Sequence, residues 1–126
     1  MLDVKQIVYN ALHDLSIRIN DNPDYGTGHP NCPYSLLRTI LEKPIHYKNY
    51  TKVSWLFRVD VFSNYKGEKE IKDYYEKEVT RRLDLIQQEE GITYVDSNLT
   101  IMDEKELGPV NKHGVISIAI DTMEVE

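Results

Sequence analysis

Between Thr51 and Ile86 the chain changes from one hydrophobic period to another. Val53, Trp55, Phe57, Val59 and Val61 put an apolar side chain at every second position, which in an extended backbone gathers all five on one face of a sheet. Past the turn residues Ser63 to Gly67, the apolar positions Ile71, Tyr75, Val79, Leu83 and Ile86 recur at three- and four-residue spacing. That spacing predicts one stripe along a helix. The strand needs a cover and the helix offers one, so the segment predicts a packed strand–helix pair. A helix from Glu68 to Glu90, stopped by Gly91, would be about 35 Å long. Ser63 or Asn64 is placed to cap its start, and Glu68 and Glu70 suit its positive end.

The remaining elements follow from the same periodicities. Val4, Ile7, Val8, Ala11, Leu12 and Leu15 predict an amphipathic helix opened by Asp3. Ile17 and Ile19 predict a short strand. Three prolines and two glycines between Asn20 and Pro33 exclude regular structure there, and a loop of that length is a candidate contact element. Tyr34 to Leu41 predicts a second strand, ended by Glu42, Lys43 and Pro44, with Ile45 to Tyr50 as a polar, aromatic connector. Ile92 to Asp103 has strand character, Glu104 to Asn111 turn chemistry, and Val115 to Ile120 a last strand that alternates isoleucine with Ser117 and Ala119. The order predicts one α+β domain over residues 1–126. It has two layers: a largely antiparallel sheet of about four to five strands, and two helices packed on one of its faces.

Composition narrows the function classes. With 126 residues, 40% hydrophobic and 29% charged, the chain has the size and balance of one globular domain. No apolar run approaches the roughly 18 residues that cross a bilayer, and the MLDVKQ start lacks a secretion-signal layout, so a soluble intracellular product with no membrane partner is expected. The two sequons, at Asn49 and Asn98, therefore carry no expected glycan. The formal charge of −6 argues against sequence-specific nucleic-acid binding, which draws on a basic patch. Along the long helix, Lys66, Lys69, Lys72 and Lys77 are interleaved with Glu68, Glu70, Asp73 and Glu76, as on a solvated face with local ion pairs. Nine tyrosines against one tryptophan and two phenylalanines suit surfaces that a partner buries while a polar tip stays satisfied.

Candidate chemistry is sparse. His29 and Cys32 have a two-residue gap used by some zinc sites, but His13, His46 and His113 fall singly in a helix, a connector and a turn; no metal is expected. Asp60 and Asp121 lie on or beside strands without a spacing that brings them together as acid and base. No GxSxG, HExxH or GxxxxGK[ST] pattern occurs, and the GTG at Gly26 to Gly28 leads into His-Pro rather than a helix. Cys32, the one nucleophile of note, has no base near it in sequence. The expectation is a protein without catalytic residues or cofactor. More informative is the second face of the central strand, where Leu56 and Phe62 flank Arg58 and Asp60. An apolar patch with an embedded charge pair is the composition of a subunit interface of fixed register; the alternative is a solvated face with two scattered apolar residues.

The strand CPYSLLR, the strand–turn–helix WLFRVDVFSNYKGEKEI and the closing strand HGVISIAIDT together resemble the tail terminator (tail completion) proteins of long-tailed bacteriophages. The likeness runs through Pro33 and Tyr34, then Trp55, Phe57, Val59, Val61, Phe62 and Ser63, then Gly67 to Ile86, then Val115 to Thr122. It covers most of the chain. The chain departs from the pattern in having Leu36, Leu37 and Arg38 where a glycine often follows the Pro-Tyr strand, and in its longer preceding loop. The resemblance implies a homohexameric ring that caps the tail tube at the head–tail junction of the virion, made in the bacterial host cytoplasm. Its partners would be other copies of itself, the tail-tube protein and the head–tail connector protein. On that reading Leu56, Arg58, Asp60 and Phe62 are expected at the subunit interface, and the loop from Asp21 to Asn31, with Asp24, Tyr25 and His29, docks onto tube or connector. An acidic balance would also suit a channel through which DNA slides. Two alternatives accompany it: another neck or connector component of such phages, and a non-catalytic small-ligand or peptide-binding module.

Overall fold

The computed structural model describes residues 3–19, 33–105 and 110–125. Its elements are α1 (Val4–Leu12), β1 (Tyr34–His46), β2 (Tyr50–Ser63), α2 (Lys69–Asp73), a π-helical turn (Tyr74–Val79), α3 (Thr80–Gln87), β3 (Ile92–Asp103) and β4 (Lys112–Val125). The four strands form one sheet in the order β1-β2-β4-β3, every neighbouring pair antiparallel. The helices lie on one face of it, so the domain is a two-layer α+β structure, as the periodicities predict.

The odd-numbered residues of β2 build that covered face. Phe57, Val59 and Val61 are buried against Ile116, Ile118 and Ile120 of β4. From the helical side, Val4, Val8 and Leu12 of α1 and Ile71, Tyr74, Val79, Leu83 and Ile86 close the core. Asp3 caps α1 as expected, its carboxylate accepting the Gln6 amide at 3.1 Å. Burial of apolar area on this scale, at about 25 cal/mol per Å², is the main force that holds the layers together.

Several predicted boundaries change, each for a physical reason. β1 does not end at Glu42, Lys43 and Pro44 but continues to His46, and the predicted connector shrinks to Tyr47–Asn49. Pro44 is tolerated because β1 is an edge strand, so an absent N–H on its outer side breaks no ladder bond. A bulge between Thr39 and Leu41 inserts Ile40 and lets both Ile40 and Leu41 stay exposed. β4 runs from Lys112 to Val125, beyond Val115–Ile120 at both ends, because it pairs along the whole of β2. Ile17 to Ile19 makes no strand; Ile19 has a single parallel bridge to Ser35.

The long helix also differs. Residues 69–87 form one unbroken run of about 28 Å, not 35 Å, and its N-cap is Glu68 without a side-chain cap. Ser63 instead ties the turn together, accepting the Tyr65 amide at 3.2 Å and donating to Glu70 Oε1 at 2.6 Å. Midway, the Thr80 amide donates to the Tyr75 carbonyl five residues back, the signature of a π turn. The Thr80 hydroxyl donates to the Glu76 carbonyl at 2.7 Å, so that carbonyl keeps a partner in the widened turn. After the helix, Gly91 adopts φ 91°, the left-handed conformation that glycine takes without strain, and the chain turns into β3.

Candidate interaction face and the Asp60 cluster

The sheet face opposite the helices has no layer over it among the described residues. Cross-strand register fixes its rows. Arg38, Arg58, Ser117 and Asn98 form one; Leu41, Leu56, Ala119 and Asp96 the next; Lys43, Ser54, Asp121 and Tyr94 the third. The predicted interface residues Leu56, Arg58, Asp60 and Phe62 do lie together on this face. Two of them are not available to a partner, since Asp60 is 2% and Phe62 6% exposed.

Their burial has a local cause. Phe62 stacks on Tyr34 of β1, with ring centroids 4.8 Å apart, and on His113 of β4, at 4.5 Å, so three rings run across β1, β2 and β4. Val110 packs against them and completes a small second core. Asp60 lies under the edge of this stack. Arg58 reaches its Oδ1 through Nε at 3.0 Å and through its terminal nitrogen at 2.9 Å, and His113 Nε2 lies 2.8 Å from the same oxygen. The other oxygen, Oδ2, is buried without a hydrogen-bond partner among the described residues.

Burial pushes the Asp60 carboxyl up, but the bonds and charges of His113 and Arg58 outweigh that and hold it below its usual value of 3.8. His113 Nδ1 in turn faces Glu104 Oε2 at 3.8 Å, so both ring nitrogens of His113 look toward carboxylates. The cluster joins β2, β4 and the end of β3. What it does chemically is hold charge in register at one end of the bare face.

The other predicted residues are scattered. Asp60 and Asp121 do not meet: their β4 registers are Val115 and Asp121, and Asp121 pairs with Lys52 at 3.5 Å. His13 stacks on Tyr9, and His46 Nδ1 lies 3.1 Å from the Thr51 hydroxyl. Among the described residues, no three His, Cys, Asp or Glu side chains gather as a metal-ion site. Asp24, Tyr25, His29 and Cys32 lie outside the described residues. The role of His113 was not legible in sequence, because it depends on pairing β2 with β4 across the whole helical excursion between them.

Two concave regions sit on the helical side. A cleft of about 580 Å³ opens between Ser16, Pro33 and the start of the long helix, with Tyr65, Glu70, Tyr74 and Glu78 in its wall. Burial pushes the Tyr74 hydroxyl up to about 12. Glu78 accepts the Ser16 amide at 2.9 Å and also binds its hydroxyl, which fixes one rim. A wider groove of about 1150 Å³ runs from Asp3 over Val53 and Trp55 to Val125, and the Trp55 indole N–H is buried there without an acceptor among the described residues.

Compared with known proteins, the chain matches no protein-family model and no curated protein. Among the described residues, no helix is long and apolar enough to cross a membrane.

Proposed function

We propose that the chain is a non-catalytic structural subunit of a long-tailed bacteriophage, a tail terminator that closes the polymerised tail tube and offers the surface for head–tail joining. The observation that carries the reading is the two-sidedness of the domain. Helices cover one sheet face; the other is bare among the described residues and exposes apolar side chains such as Leu41 and Tyr94, 47% and 48% exposed. A homohexameric ring needs two unlike patches per subunit. The half-buried β2 residues Leu56 and Arg58 supply one. The outer side of the long helix, with its Lys72–Glu68 and Lys77–Asp73 ion pairs, supplies the other. The partners are further copies of the chain, the tail-tube protein and the head–tail connector protein, and the place of action is the virion's head–tail junction. Asp24, Tyr25 and His29 are assigned to docking on tube or connector.

The test is electron microscopy of polymerised tail-tube protein mixed with the purified chain. Hexagonal caps at tube ends, with tube growth arrested, are the expected result. Tubes that keep growing with bare ends would overturn the reading. A ligand-binding module is the second reading, favoured by the cleft at Tyr74; a small-molecule screen that raises the melting temperature of the wild type but not of Tyr65→Ala would support it instead.

A further inference from the structure

The bare face is split by charge. Within the four strands, its β1/β2 half exposes Arg38 and Lys43 and carries the half-buried Lys52 and Arg58, which pair with Asp121 and with the buried Asp60. Its β3/β4 half carries Asp96 and Asp121, and the basic residue there, His113, turns in toward Asp60. Arg38 and Lys43 meet no carboxylate among the described residues, and Arg38, Leu41, Lys43, Tyr94, Asp96 and Met123 are all exposed. One face thus holds cations on one side of its midline, anions on the other, and unburied apolar groups across both.

We infer that the bare face docks on the same face of a second copy, about a twofold axis that lies between the sheets and runs along the strands. The charge split selects this axis. A twofold along the strands places β1 over β3 and β2 over β4 of the second copy, so each basic half meets an acidic half. The other in-plane twofold, across the strands, stacks β1 on β1 and β2 on β2, and therefore cation on cation. Rotation about the strand direction also preserves height. The row Lys43, Ser54, Asp121, Tyr94 then crosses its own reversed copy, with Lys43 over the Tyr94 ring and Ser54 over Asp121. Arg38 comes to one row from Asp96, and Lys52 to one row from Asp121.

The area suffices. Four strands about 4.8 Å apart and about ten residues long give a face of roughly 650 Å², or about 1,300 Å² over two copies, inside the range of specific interfaces. Two right-twisted sheets stack in this aligned manner when their strands stay within about 30° of each other. The ring contact proposed above uses the β2 part of the same face, so dimer and ring exclude one another. The dimer is a property of the free chain and does not rest on the tail-terminator reading.

Sedimentation equilibrium of the full chain tests this, with Arg38→Glu/Lys43→Glu as one variant and Asp96→Lys/Asp121→Lys as another. Wild type should reach twice the chain mass with rising concentration. Each variant alone should dissociate with a constant about tenfold higher or more. An equimolar mixture of the two variants should form a dimer again, because both half-faces are then complementary. The wild type needs no variant to fold for a further check: its dissociation constant should rise at least about threefold between about 50 and about 500 mM salt. A wild type that stays monomeric, variants or salt that leave the dimer unchanged, or a mixture that stays monomeric would each overturn the inference. A mixture that grows beyond two chains would replace the twofold by a ring contact. Salt-sensitive binding of a labelled oligonucleotide by a monomeric wild type would assign the cationic half to a polyanion instead.

Discussion

Tyr74 and Val79 stand five residues apart in one helix, yet both are buried on the same stripe, between Ile71 and Leu83. In a regular α-helix a five-residue step turns about 500°, far enough off the stripe to break it. The π turn spreads those five residues over little more than one revolution and returns Val79 to the core. Tyr74 thereby takes the inward place that regular spacing assigns to Tyr75, and Tyr75 moves to the flank, where its hydroxyl bonds Ser97 of β3 at 2.7 Å.

The two tyrosines should therefore differ sharply on substitution. Tyr74→Ala removes a fully buried ring and should cost about 3–5 kcal/mol, as large aromatic truncations do. Tyr75→Phe removes one partly buried hydrogen bond and should cost about 1 kcal/mol. Urea unfolding of both variants measures this, and equal losses would mean that the helix keeps a regular register.

Alkaline stability should depend on the same residue. The folded chain holds the Tyr74 hydroxyl at about 12, above its ordinary 10. A raised value means that the neutral form is favoured in the fold. The contribution is thus full below pH 10 and is lost as pH rises toward 12, with a size on the order of 3 kcal/mol. Tyr74→Phe, which cannot ionise, should keep its stability across that window while the wild type loses it. Parallel unfolding curves of the two proteins from pH 9 to about 12 would contradict the buried hydroxyl.

Asp60 makes the opposite prediction at acid pH. Its carboxyl is held below 3.8, so its contribution is present above that value and is lost as pH falls through the lower folded value. Asp60→Ala leaves His113 and Arg58 without their shared acceptor. Breaking a buried pair costs about 3–5 kcal/mol, and the half-exposed Arg58 guanidinium lowers the expectation to about 2–3 kcal/mol. The gap between wild type and variant should hold above about pH 4 and close below it. A gap that persists at about pH 2 would place the stabilising role in packing under the ring stack rather than in charge.

The strands were legible in sequence because alternation survives wherever one face is buried, as in Val59, Val61, Ile116, Ile118 and Ile120. Their ends were not. Pro44 reads as a stop, and only the edge position of β1, a property of the whole sheet, removes its cost. The π turn hides for a related reason: Tyr74 and Tyr75 are chemically alike, so composition cannot say which of them faces inward. The mixed face of β2 was visible as Leu56, Arg58, Asp60 and Phe62, but the partner that buries half of it, His113, lies 51 residues beyond Phe62 and is brought in by the β2–β4 pairing. Long-range pairing of that kind leaves no local periodicity.

That pairing also places Gly114 against Ile71 of the helical layer. A Cβ there would sit 2.6 Å from Ile71 Cγ2 and 3.4 Å from Leu99 Cδ1. Ile71 is fully buried and β-branched, so its methyl has no other well to swing into. Gly114→Ala should therefore force the start of the long helix outward and cost about 1–3 kcal/mol, the usual penalty of overpacking. The cost should shrink when Ile71 is also replaced by alanine, since the clash and the lost methyls then occupy the same space. A double-mutant cycle by thermal unfolding checks this, with a coupling of about 1 kcal/mol or more expected for residues in direct contact. Strict additivity would mean that α2 and β4 do not pack as closely as this geometry requires, and that the helical layer is anchored by its Val79–Ile86 half alone.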